Sequence, residues 1–141
     1  MRSIGLILLF CFSSLSFAAK VCEQQHCVAI IDAGSSGSRL HIYSYDIEEN
    51  TPGNITELYS KKIRPGITLI DNNPNTINKY LDELFTNAPE HTKIPVYFYA
   101  TAGMRLLSQS QQETEYSSIR KWFNQQSQWE LKDARTITGT E

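Results

Sequence analysis

Asp32 ends an apolar run, Val28-Ala29-Ile30-Ile31, and opens a stretch of small residues, Ala33-Gly34-Ser35-Ser36-Gly37-Ser38. A second alternating run, Arg39 to Tyr45, follows at once. The pattern predicts a strand, a tight turn and a returning strand. Glycines let such a turn take positive φ and bare its N–H groups. Successive N–H groups facing one concavity bind anions, and the serine hydroxyls add donors. Asp32, at the mouth of the loop, is placed to hold a hydrated divalent cation beside the anion. Phosphate with a metal is the chemistry this stretch suits. There is no Gly-x-x-x-x-Gly-Lys-Ser/Thr and no Gly-x-Gly-x-x-Gly opening a helix, which excludes two other phosphate loops. An ordinary Gly/Ser hairpin fits the same loop, and the loop alone does not choose between the two.

A second strand end repeats the theme. The apolar run Ile94-Pro95-Val96-Tyr97-Phe98-Tyr99-Ala100 empties into Thr101-Ala102-Gly103-Met104-Arg105. It reads as a strand buried on both faces. Ligands of α/β sheets bind off the carboxyl ends of strands, so Thr101 and Arg105 are site candidates. A surface ion pair is the plain alternative for Arg105. A third strand, Trp129 to Ile137, ends in Thr138-Gly139-Thr140-Glu141.

Other elements must bring these ends together. Glu48 to Gly53 is a polar break whose Pro52-Gly53 marks a turn. Ile55 to Ile63 is a strand stopped by Arg64-Pro65-Gly66, and Asn54-Ile55-Thr56 is a glycosylation sequon. Asn73 as N-cap and Pro74 at the first position start a helix. Its Ile77, Tyr80, Leu81, Leu84 and Phe85 share one face, and Asn87-Ala88-Pro89 ends it. A second helix is expected near Ser110, with Glu113 completing a capping box, burying Tyr116, Ile119, Trp122 and Phe123. Three strands, helix, strand, helix, strand is a mixed sheet of five strands with flanking helices. The three small-residue strand ends are expected on one edge.

The first residues read as a signal peptide, residues 1–18. Arg2 gives the positive start, Ile4 to Phe12 the apolar core, and Ser16-Phe17-Ala18 the cleavage site. The apolar run is shorter than the roughly 18 residues a membrane span needs. A secreted or periplasmic protein is expected, with a mature part of about 120 residues, enough for one core. Removing Arg2 takes the formal net charge from -2 to -3, which argues against nucleic acid as a partner. Export makes a Cys22–Cys27 disulfide the expected pairing. A metal site using His26 is the alternative there, short of the four ligands of tetrahedral zinc.

In their order, Asp32–Leu40, Ala100–Leu107 and Ile137–Glu141 resemble the first three signature motifs of the ecto-apyrase family, the nucleoside triphosphate diphosphohydrolases. The likeness looks nearest to secreted bacterial members. It implies an α/β fold, the first RNase H-like lobe of an actin-like two-lobe structure, over residues 19–141. It implies hydrolysis of the terminal phosphate of nucleoside tri- and diphosphates with Mg²⁺ or Ca²⁺. Carried onto this sequence, Asp32 would hold metal-bound water, and Gly34, Ser35, Ser36, Gly37 and Ser38 would face a phosphate. Arg39 and Arg105 would offer charge to phosphates or fix the loops, and Thr101 would lie near the attacking water. The family's general base would fall just after Glu141, and the second phosphate loop and second lobe lie further on. The sequence therefore reads as a piece ending inside the third motif and inactive alone. Two other readings are a secreted phosphate-binding module without catalysis and a relative of actin-like sugar kinases, which needs cytosolic ATP.

Overall fold

The computed structural model describes residues 13–89 and 93–138. Strands β1 (His26–Gly34), β2 (Gly37–Glu48), β3 (Thr51–Ile63), β4 (Ile94–Ala100) and β5 (Trp129–Thr136) form one sheet in the order β3-β2-β1-β4-β5. The first three are joined by hairpins and run antiparallel, while β4 is parallel to β1 and β5 to β4. Helix α1 (Ser13–Gln24) precedes the sheet, α2 (Pro74–Phe85) connects β3 to β4, and α3 (Ala102–Arg105) with α4 (Gln109–Phe123) connects β4 to β5. This is the mixed five-stranded arrangement the sequence predicts.

Local chemistry accounts for the element ends. Asn73 caps α2 by accepting from the Thr76 N–H at 3.0 Å, with Pro74 in the first turn. Its five apolar stripe residues are all buried. Helix α4 starts earlier than Ser110: Ser108 caps it, and Ser108 and Gln111 exchange both capping-box bonds. The β2–β3 turn is not at Pro52-Gly53. Glu49 and Asn50 take it with φ of 49° and 66°, the two-residue turn whose twist suits a hairpin, and Pro52 and Gly53 lie in β3.

The core lies between one face of the sheet and the helices. Ala29, Ile31 and Ala33 of β1, Leu40 and Ile42 of β2, and Val96 and Phe98 of β4 are buried there. Phe85 of α2 packs on Trp122 of α4 and Trp129 of β5 at ring distances of 5.2 and 4.7 Å. The Trp122 indole N–H donates to Asp82 at 2.8 Å and ties the two helices.

Burial in β4 alternates, which corrects the expectation of a strand buried on both faces. Tyr97 and Tyr99, with Val28, Ile30, Tyr43 and Tyr45, are half-buried on the other face, which no helix covers among the described residues. Tyrosine suits such a position because its ring packs while its hydroxyl stays wet.

Cys22 and Cys27 are bonded, with Cα atoms 5.4 Å apart, and pin α1 to the start of β1. The His26 ring stacks on Tyr45 at 5.5 Å. Residues 1–12, with most of the expected leader, lie outside the described residues, and α1 runs through Ala18 and Ala19. No helix among the described residues is long and apolar enough to cross a membrane.

Candidate functional site

The carboxyl ends of β1, β4 and β5 meet. Thr101 N–H donates to Ala33 O at 3.0 Å, and Ile137 N–H donates to Ala100 O at 2.9 Å. The carboxyl ends of β1, β4 and β5 are thereby stitched side by side, as expected of a ligand edge in an α/β sheet. Gly139–Glu141, the rest of the third motif, lie outside the described residues.

The first motif is a tighter hairpin than the sequence suggests. Ala33 pairs with Ser38 and Gly34 with Gly37, so only Ser35 and Ser36 form the turn, and both are exposed. No described glycine takes positive φ. What demands glycine here is closeness. A Cβ on Gly37 would fall 2.4 Å from Ile63 O, and one on Gly66 would fall 2.4 Å from Ser35 O and 2.7 Å from Gly34 O. The Arg64-Pro65-Gly66 segment, read from sequence only as a strand stop, is thus the support on which the hairpin tip rests. Thr101 stands on the other flank, its Oγ1 3.8 Å from where a Gly34 Cβ would be.

Ser38 departs from its expected role. It is fully buried on the core face, 2.9 Å from the Tyr80 hydroxyl, which is also 2.9 Å from Pro65 O. With one proton, the phenol donates to the carbonyl and accepts from the serine. Burial first of all raises the Tyr80 pKa, which keeps that proton in place, against a lowering by Ser38. The side chain of Ser38 braces the hairpin and does not face an anion.

Asp32, Gly34, Ser36, Gly37 and Arg39 line one shallow cavity of ≈ 230 Å³, together with His41 and Lys62. Among the described residues Asp32 is its only carboxylate, and no three His, Cys, Asp or Glu side chains gather as a metal cage. A single carboxylate fits a divalent ion that takes its remaining ligands from water or a bound anion, and not an ion held by protein alone. His41 and Lys62 carry no motif signature. Their signal was positional: in a strand of period two they share the face of Arg39 and Asp32. His41 is held by Glu57, whose Oε1 is 2.5 Å from its Nδ1.

Arg39 and Arg105 differ. Arg39 is exposed, and its side chain makes no ion pair or hydrogen bond among the described residues. Arg105 donates from Nη1 to Ile137 O at 3.1 Å and so ties the second motif to the start of the third.

Known proteins resemble this chain in sequence. The fission yeast Golgi apyrase (Schizosaccharomyces pombe) is 41% identical over 98 residues, covering 55% of this chain and 17% of that protein. The Saccharomyces cerevisiae guanosine-diphosphatase is 33% identical over 112 residues, covering 74% and 21%. Bovine (Bos taurus) ectonucleoside triphosphate diphosphohydrolase 1 is 33% identical over 122 residues, covering 79% and 24%. The chain thus spans less than a quarter of the length of these relatives. The crystal structure of nucleoside triphosphate hydrolases from Neospora caninum superposes with a TM-score of 0.56 at 14% identity, over 88% of this chain and 32% of that one. That likeness concerns fold alone, the actin-like fold that the motifs imply. The model of the GDA1/CD39 (nucleoside phosphatase) family matches residues 19–141, and the chain belongs to that family.

Proposed function

We propose that this chain is the phosphate-holding lobe of an exported nucleotide phosphohydrolase, one that removes the terminal phosphate of nucleoside tri- and diphosphates. The observation that carries the reading is the junction of three strand ends, Ala33–Thr101 and Ala100–Ile137, beside a cavity lined by Asp32 and by Ser36 of the hairpin turn. The phosphate would rest on the N–H groups and hydroxyls of Ser35 and Ser36, the two turn residues left outside the ladder. Arg39 would supply an unspent guanidinium, and Thr101 would border the reacting phosphate on its β4 flank.

Asp32 would hold the divalent cation, Mg²⁺ or Ca²⁺, which when bound neutralises phosphate charge and polarises the phosphoryl group. The chain's own residues orient the phosphate and fix the hairpin from below, through Ser38, Tyr80 and Gly66. Arg105 is a positioning residue, keeping the second and third motifs in register. Among the described residues no carboxylate besides Asp32 lines the cavity, so a base that deprotonates water in line is not among the described residues that line it. On this reading the described residues hold nucleotide but do not turn it over unaided, and a second lobe would complete the site. Export rests on the leader-like residues 1–18 and sets the reaction outside the cytosol.

The test is phosphate release from ATP and ADP with Mg²⁺ or Ca²⁺, by this chain and by a protein extended with the C-terminal part of a relative. Turnover by the extended protein that falls about a hundredfold or more in Asp32→Ala supports the reading. Nucleotide binding with no turnover in either would favour a secreted binding module, and unchanged turnover in Asp32→Ala would refute the role given to Asp32.

A further inference from the structure

We propose that Lys62, on the edge strand β3, is a second phosphate-binding cation of this site, acting with Arg39 on one anionic group. The proposal rests on the phosphate pocket described above and adds a residue from outside its motifs. Three observations carry it. Lys62 lines the same cavity as Asp32, Ser36 and Arg39. Its Cε lies 3.2 Å from where a Gly37 Cβ would stand, so the ammonium arm lies along the hairpin's β2 flank, opposite Thr101. Lys62 and Arg39 are also direct cross-strand partners.

That last pairing is the informative one. Like charges facing each other across neighbouring strands are destabilising. No carboxylate relieves this pair: neither cation has an ion pair or hydrogen bond among the described residues, although Asp32 is the next residue across the sheet. A local conflict of this kind is expected where a ligand resolves it. A group that fits between two cations and the donors of the Ser35-Ser36 turn is a phosphate. Glycine at position 37 keeps the space open, because any side chain there would meet Ile63 O and the Lys62 arm.

The test is calorimetric titration of the full chain with inorganic pyrophosphate at low salt in a chelating buffer, with thermal melts of every variant. Lys62→Gln is expected to weaken binding about tenfold, and Lys62→Arg to restore it. Lys132→Gln, which removes a lysine paired with Glu130 on β5, is expected to leave it unchanged. The free Lys62→Gln protein should melt no lower than the unmodified one, since a repulsion is removed. Unchanged affinity in Lys62→Gln, a loss equalled by Lys132→Gln, or a loss accompanied by a lower melting temperature would each overturn the assignment. If Arg39→Gln abolishes binding while Lys62→Gln does not, only Lys62 falls. If the unmodified chain binds no pyrophosphate, the pocket itself falls with it.

Discussion

Replacing Gly66 with alanine isolates the support under the phosphate hairpin. Gly66 has φ -62° and ψ 148°, a conformation alanine adopts freely. On backbone grounds the change should stabilise by about 0.4–1 kcal/mol, by restricting the unfolded chain. Against this, the new methyl would sit 2.4 Å from Ser35 O and 2.7 Å from Gly34 O. Both are main-chain atoms of the hairpin tip, so no side-chain rotation relieves them. Overpacking of this kind costs about 1–3 kcal/mol, so a net loss of about 1–2 kcal/mol is expected. For a domain of this size that lowers the melting temperature by roughly 5 °C. The relief must come from moving the Ser35 carbonyl by nearly 1 Å, and a displacement of about 1 Å at a site can cost up to a hundredfold in function. Thermal denaturation and pyrophosphate titration of Gly66→Ala read both effects. A variant as stable as the parent with the same affinity would show that the 64–66 segment does not bear on the hairpin.

Arg39→Ala should not lower the melting temperature, since it relieves the same repulsion from Lys62, and should weaken phosphate binding. Arg105→Ala, which removes the bond to Ile137 O, should lower stability by about 1 kcal/mol; equal behaviour of the two in melts and titrations would contradict these roles. Glu115 is 2% exposed, with Oε1 lacking a hydrogen-bond partner, and burial pushes its carboxyl up to about 7. A raised carboxyl pKa gives stability that is full below the ordinary carboxylate range and lost as pH rises through 7. Glu115→Gln should therefore gain on the parent by about 2 kcal/mol between pH 5 and pH 8, after allowance for water reaching the ionised group. Urea denaturation at the two pH values checks this, and an unchanged difference would refute it. Cys22 and Cys27 should resist alkylation in the native oxidised protein, and reducing the short loop between them should cost about 2 kcal/mol; ready labelling of both thiols would refute the bond.

The strand and helix order was legible because period-two and period-3.6 patterns, a Pro74 start and an Asn73 cap all agree with the fold. The convergence of the strand ends was legible too, because the small-residue stretch recurs after successive apolar runs and ligands of α/β sheets bind off strand carboxyl ends. Three things were not. The Ser108 cap lies two residues before a serine that also fits the motif, and local sequence does not rank them. The β2–β3 turn went to Glu49-Asn50 because left-handed φ is open to Asn as well as Gly. The single-sided burial of β4 could not be read, since Tyr97 and Tyr99 look apolar in a run yet tolerate a wet face. In the site, Ser38 looked equivalent to its neighbours until register put it on the core side, where Tyr80 meets it. His41, Lys62 and Gly66 carried no motif; their part came from pairing across strands that are distant in sequence.

The central claim is that nucleotide phosphate sits on the Ser35-Ser36 hairpin beside Asp32. Amide chemical-shift mapping of the isotope-labelled chain, titrated with ADP and Mg²⁺, tests it most directly. The account predicts that the largest shifts fall on residues 34–37, 39 and 101, and that the effect of Mg²⁺ on them is lost in Asp32→Ala. Shifts centred instead on Val28, Tyr43 and Tyr97 of the uncovered face, or no saturable shifts in the hairpin, would contradict it.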